Sequence, residues 1–210
     1  MWTLLQKGGP VTWFILAISM VAGVIFFAKL IDLHRAQIKW RDFLQGIYNI
    51  LNRQNIVEAV SICDETPGPV ASIVRAAILH HDEDKESIQR SIEEAGLAEI
   101  PRLERNLTML ATLAQITPMM GLLGTVLGMM QALLAIQEKS PLVHSGDLMG
   151  GLWQALIATA ASLAVAIPIY AGYNLLVGRV ESIVLDMERA SVEILAFLTG
   201  RNQQKGKTGA

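Results

Sequence analysis

Three stretches of this chain carry no Asp, Glu, Lys, Arg or His, and their lengths restrict its fold more than any other feature. Lys7 and Lys29 enclose 21 such residues, Arg105 and Glu138 enclose 32, and Asp147 and Arg179 enclose 31. About 20 apolar residues of α-helix, rising roughly 1.5 Å each, span the hydrocarbon core of a bilayer. The first stretch is one plain crossing; the other two overshoot it and project beyond the membrane. A cleaved signal peptide fits the first stretch poorly, because its leader holds one Lys and no A-x-A site precedes a polar start. With 52% hydrophobic and 17% charged residues, the chain is too apolar for an ordinary soluble domain. The expected fold class is an all-α membrane protein: three transmembrane helices with long cytoplasmic helical extensions.

The 17 basic residues set the orientation. One precedes the first span, ten lie between Lys29 and Arg105 inclusive, one (Lys139) lies in the second loop, and five follow the third span. Lys29, Arg35, Lys39 and Arg41 crowd the end of the first span, where positive charge marks the cytoplasmic side. The expected layout is a periplasmic N-terminus (1–7), a first transmembrane helix (8–28), a cytoplasmic helical domain (29–105), a second transmembrane helix extending into the cytoplasm (106–137), a periplasmic loop (138–147), a third transmembrane helix (148–178) and a cytoplasmic C-terminal helix with a disordered tail (179–210). The outer loop QEKSPLVHSGD is too short to be a receptor or a catalytic domain.

Within 29–105, apolar positions recur three and four apart, as in Phe43, Ile47, Ile50 and Leu51, then Ile88, Ile92, Ile100, Leu103 and Leu107, and predict amphipathic helices. Breaks are expected at Asn52 to Asn55, with Asn55 as a cap, and at Thr66 to Pro69. From about Asp84 no stop signal precedes the second span, so one rod of about 50 residues is expected, bent but not ended by Pro101. Cys63 has no partner within the chain and reads as a small buried hydrophobe. His80 and His81 precede three acidic residues, but adjacent helical side chains point about 100° apart, so a solvated turn is the better reading and no metal site is expected. No phosphate loop, His-Glu-x-x-His or nucleophile motif occurs. No cofactor is expected, and the net charge of −2 argues against nucleic acid.

The second and third spans hold small and polar residues at helical spacing. Ala114, Pro118, Gly121, Thr125, Gly128 and Ala132 form one expected face, and Gly151, Ala155, Thr159, Ser162 and Ala166 form another. In lipid, apolar helices associate through close packing of small residues and interhelical hydrogen bonds. Gly121, Gly124, Gly128, Ala155 and Ser162 are therefore the helix-packing candidates. Thr125 lies 11 residues before Ile136 and Thr159 lies 11 residues after Leu148, placing both hydroxyls about 16 Å below the outer end. Gln131 and Gln154 match in depth as candidates for a pore vestibule. Pro118 and Pro168 also match, and as helix breakers each frees a carbonyl. No span holds an Asp, Glu, Lys, Arg or His, so if protons cross here the carboxylate comes from another protein.

The blocks LATLAQITPMMGLLGTVLGMM (110–130) and LWQALIATAASLAVAIPIYAGYN (152–174) resemble the second and third spans of the ExbB/TolQ/MotA family of ion-driven stator proteins. Chain length and the large first cytoplasmic loop favour its ExbB/TolQ branch. The resemblance implies a homopentamer in a bacterial inner membrane, enclosing two single-span helices of an ExbD- or TolR-like partner. It further implies that the partner's transmembrane Asp exchanges the proton facing Thr125 and Thr159, and that a TonB-like or Pal-like protein acts downstream. Many ExbB proteins carry Glu where this chain has Gln154, and a neutral amide cannot titrate. The rival reading is a non-conducting structural scaffold whose threonines only pack; an intramembrane enzyme would need reactive side chains that the spans lack.

Overall fold

The computed structural model describes residues 9–139 and 145–208, which form helices with no strand among them. In chain order they are α1 (Gly9–Ala36), α2 (Trp40–Asn52), α3 (Ile56–Glu65), α4 (Pro69–Leu79), α5 (Lys85–Glu104), α6 (Leu107–Lys139) and α7 (Ser145–Thr208). Three helical stretches, containing α1, α6 and α7, are long and apolar enough to cross a membrane. The expected N-terminus (1–7) and residues 140–144 of the outer loop lie outside the described residues.

The chain divides into two compact units. The first comprises residues up to Lys29 together with Asn106–Leu176. Its helices are apolar all round, with Phe14, Met20, Val24, Met119, Leu122 and Ile167 exposed. Helices of that kind are stable only in an apolar surrounding. Inside the unit α6 and α7 run antiparallel and touch through residues almost without side chains. A Cβ on Gly121 would strike the Ser162 side chain and one on Gly124 would strike Ala158. A Cβ on Gly128 would lie 2.7 Å from the Gly151 carbonyl oxygen and 2.9 Å from Ala155 Cβ. The two backbones are thus in direct contact, the geometry small residues permit in membrane helices.

The second unit comprises Leu30–Arg105 and the chain from Val177 onward. Amphipathic helices α2 to α5 bury Leu44, Ile47, Leu51, Ile73, Val74, Ile78, Ile88 and Ile92. α7 contributes Val180, Ile183, Met187, Ala190, Ile194 and Leu198 at three- and four-residue spacing, one stripe of a 3.6-residue helix. Tyr48 stacks on Phe197 with ring centroids 4.2 Å apart. The expected breaks are where the sequence places them. Asn55 caps α3, its Oδ1 accepting from Glu58 N–H at 3.3 Å. Gly68 takes φ +129, and a Cβ there would lie 2.7 Å from the Ala36 carbonyl oxygen, so the turn before Pro69 accepts only glycine. Cys63 is buried, and burial first, then Asp64, push its thiol up to about 12, which keeps it from reacting.

Two expectations are corrected. The single rod is two helices, broken at Arg105 and Asn106 rather than bent at Pro101, which stays inside α5. Arg105 is extended (φ −52°, ψ 133°) and Asn106 takes φ +69, a left-handed conformation that Asn tolerates better than most residues. The Asn106 carbonyl then accepts from Leu110 N–H at 3.1 Å and starts α6. The tail, expected to lack regular structure, continues the α7 backbone as helix to Thr208. Its Gln and Lys residues are good helix formers and no proline interrupts it.

Candidate functional site

The α6–α7 seam positions the polar residues. Its buried members on α6 are Ala114, Thr117, Gly121, Gly124, Gly128 and Ala132, and on α7 Gly151, Ala155, Ala158, Ser162 and Ala166. Thr125 and Thr159 each follow a member of the Gly124–Ala158 contact by one residue. One residue is about 100° of rotation, and in antiparallel helices the two rotations turn toward the same side of the pair. The threonines therefore stand at one level on one flank of the seam, both half-buried. This agrees with the depth counted along the chain and differs from the expected faces, in which Thr125 and Thr159 occupied the places that Gly124 and Ala158 hold.

α1 lies on the other flank. Val11 is buried close to Gly124, Gly9 meets Gln154, and Phe26 meets Gly172. Gln154 and Gly172 are 18 residues apart, which is five helical turns, so they share one stripe of α7 about 140° around the axis from Thr159. Gln131 lies about 120° from Thr125 in the same sense, toward the α1 flank. Of the prolines, Pro118 shares the stripe of Thr125, whereas Pro168 is exposed about 180° from Thr159. The residues matched in depth are thus sorted around the axis: threonines and Pro118 on one flank, glutamines on the other.

Each hydroxyl has a local acceptor. Thr125 Oγ1 donates to the Leu122 carbonyl at 2.6 Å and Thr159 Oγ1 to the Ala155 carbonyl at 3.2 Å. Their oxygen lone pairs are left to accept from a protonated acid or a water. Ser162 Oγ, fully buried, donates to the Thr159 carbonyl at 2.8 Å. Sequence reasoning missed Thr117, also fully buried, whose Oγ1 donates to the Leu113 carbonyl at 2.5 Å beside Pro118. It also missed Thr12 and Lys29, both buried on α1. Thr12 lies among apolar neighbours with no small-residue spacing to mark it, whereas Thr117 sits three residues after Ala114 and four before Gly121, one position before the Pro118 that the expected face held. His80 and His81 close α4: their Nδ1 atoms meet the carbonyls of Ala76 (3.0 Å) and Ile78 (2.9 Å).

A membrane unit with two antiparallel helices in backbone contact and a hydroxyl from each at one level is the arrangement the quoted blocks encode, and comparison with known proteins gives it a class. The chain belongs to the MotA/TolQ/ExbB proton channel family, whose pattern matches residues 65–189, including the whole of α6. That family is one of channels, not of enzymes, and the fold is that of an all-α membrane protein. Among similar proteins is a biopolymer transport protein ExbB homolog of Methanothermobacter thermautotrophicus, 24% identical over 92% of this chain and 67% of its own length. The biopolymer transport protein ExbB of Aquifex aeolicus is 45% identical over 41% of this chain and 57% of its own. The Tol-Pal system protein TolQ of Haemophilus influenzae is 39% identical over 46% of this chain and 42% of its own. In the latter two cases the match spans roughly half of the relative.

Proposed function

We propose that this chain is the shell subunit of an ion-driven, proton-powered energy transducer in a bacterial inner membrane, five copies enclosing two helices of an ExbD- or TolR-like single-span partner. The observation that carries this reading is the pair Thr125 and Thr159, at one level on the flank of the α6–α7 pair away from α1. The spans hold no carboxylate, so the partner supplies it as a transmembrane Asp. Protonated, that acid donates to a threonine oxygen; ionised, it accepts from a threonine hydroxyl or a bridging water. Proton exchange at the partner's Asp then drives movement of partner against shell, and the partner passes the work to the periplasm or outer membrane, for example biopolymer transport through a TonB-like or Pal-like protein. The local Thr125 and Thr159 hydrogen bonds favour one second reading, a non-conducting scaffold in which both side chains only pack. Native mass spectrometry of the complex co-purified with its partner tests the first reading. Five copies of this chain with two of the partner are expected; a stable dimer that retains coupling contradicts it.

The proposed orientation places the N-terminus in the periplasm and the C-terminus in the cytoplasm. In a Cys63→Ala background, Ser145→Cys reacts with an impermeant thiol reagent added to intact spheroplasts, and Ser61→Cys, exposed on α3, does not. Labelling at position 61 from outside rules the orientation out.

A further inference from the structure

Gly9 opens α1 with φ +68, and a Cβ built there lands on the side-chain amide of Gln154, with Cδ 3.0 Å and Cγ 3.6 Å away. The same stripe of α7 carries Gly172 five turns later, where a Cβ would lie 2.9 Å from the Phe26 ring. α1 is therefore seated on α7 at two points: a side chain of α7 against a glycine of α1 at one end, and the reverse at the other. The Gln154 atom nearest the Gly9 Cβ position is Nε2, the donor end of the amide, so the contact is one of packing and shape.

We infer that Gln154 is a positioning residue: its amide seats the first turn of α1 on α7 and so holds α1 on the flank opposite Thr125 and Thr159. This assigns Gln154 to helix docking in place of the vestibule expected from depth alone, and the functional part of the inference rests on the proposed function. A contact of this kind depends on the shape of the side chain, which Gln and Glu share.

The test uses four variants of the complex purified with its partner: Gly9→Ala, Gln154→Ala, the double variant and Gln154→Glu. Thermal midpoints and proton flux in proteoliposomes between about pH 5 and 8 are measured, the range bracketing the approach of a carboxylate to full ionisation. Gly9→Ala meets both a left-handed backbone and the Gln154 amide, so its midpoint falls by about 2–4 °C for each kcal/mol lost. Adding Gln154→Ala removes the collision and restores at least half of that fall. Gln154→Ala alone lowers flux by about threefold, roughly the effect of one weak interhelical contact. Gln154→Glu returns flux to the wild-type level with the pH profile unchanged. Simple additivity of the two alanine substitutions, or a new ionisation in the Gln154→Glu flux profile, overturns the inference. Should the wild-type complex carry no proton flux, the proposed function fails, while the four midpoints still decide the contact.

Discussion

Thr125→Val and Thr159→Val each leave the complex assembled and cut its ion-driven work by about ten- to a hundredfold. Val reproduces the volume of Thr without the hydroxyl, so only a hydrogen-bonding group is removed. Both hydroxyls bond carbonyls of their own helices, and losing such bonds in membrane helices costs about 0.6 kcal/mol on average. That is small beside a seam of at least five close contacts per chain, so pulldown of the partner is unchanged. A hydrogen bond to a charged group is worth about 1.5–3 kcal/mol, so a carboxylate or bridging water that depends on the hydroxyl loses roughly ten- to a hundredfold in activity. Gln154→Ala, on the other flank, is milder. The measurements are partner co-purification and uptake or growth dependent on the proton motive force. Full activity in both Val variants, or inactivity accompanied by disassembly, makes these threonines packing residues.

Gly128→Ala disrupts the membrane unit itself. Its Cβ would sit 2.7 Å from the Gly151 carbonyl oxygen and 2.9 Å from the Ala155 backbone nitrogen. Both are backbone atoms, which cannot rotate away as a flexible side chain can. The helices must separate, at a cost of about 1–3 kcal/mol for overpacking. The opened seam also loses the close approach that holds membrane helices together. Gly23→Ala in α1 is the control, since nothing lies within 4 Å of a Cβ there. It is neutral or stabilising by up to about 1 kcal/mol through helix propensity. Thermal unfolding in detergent and the yield of intact complex separate the two; equal behaviour of the two alanines removes the claim that the seam is a backbone contact.

The spans, the cap at Asn55 and the turn at Gly68 were legible because each rests on local chemistry: length without charge, an Asx side chain before a helix, proline beside glycine. The equal depth of Thr125 and Thr159 was legible for the same reason, since depth is a count along the chain. Rotation about the axis was less so. Spacing of three and four residues fits neighbouring stripes almost equally well, and Thr125 displaced Gly124 from the expected face because the contact with Ala158 is visible only when both helices are present. The glutamines match in depth in the same way, and only the neighbouring helix shows that they lie toward the α1 flank. The break at Asn106 was hidden by the continuous apolar periodicity through Leu103 and Leu107, both buried. A single left-handed Asn leaves no trace in such a pattern.

The glycine seam also has a mechanical meaning. Where bulky side chains separate two helices, those side chains can change rotamer and let the helices slide; where carbonyl oxygens and Cα atoms meet, no such bearing exists. Sliding α6 by one residue against α7 would bring Leu123 or Met129 to places that accept only hydrogen atoms. The pair is thus a stiff strut with one permitted register. If the assembly performs strokes, the compliant joints lie at the surfaces this pair presents to its neighbours, where Met119, Leu122, Met129 and Met130 are exposed and the unbranched methionine side chains can re-pack with each step.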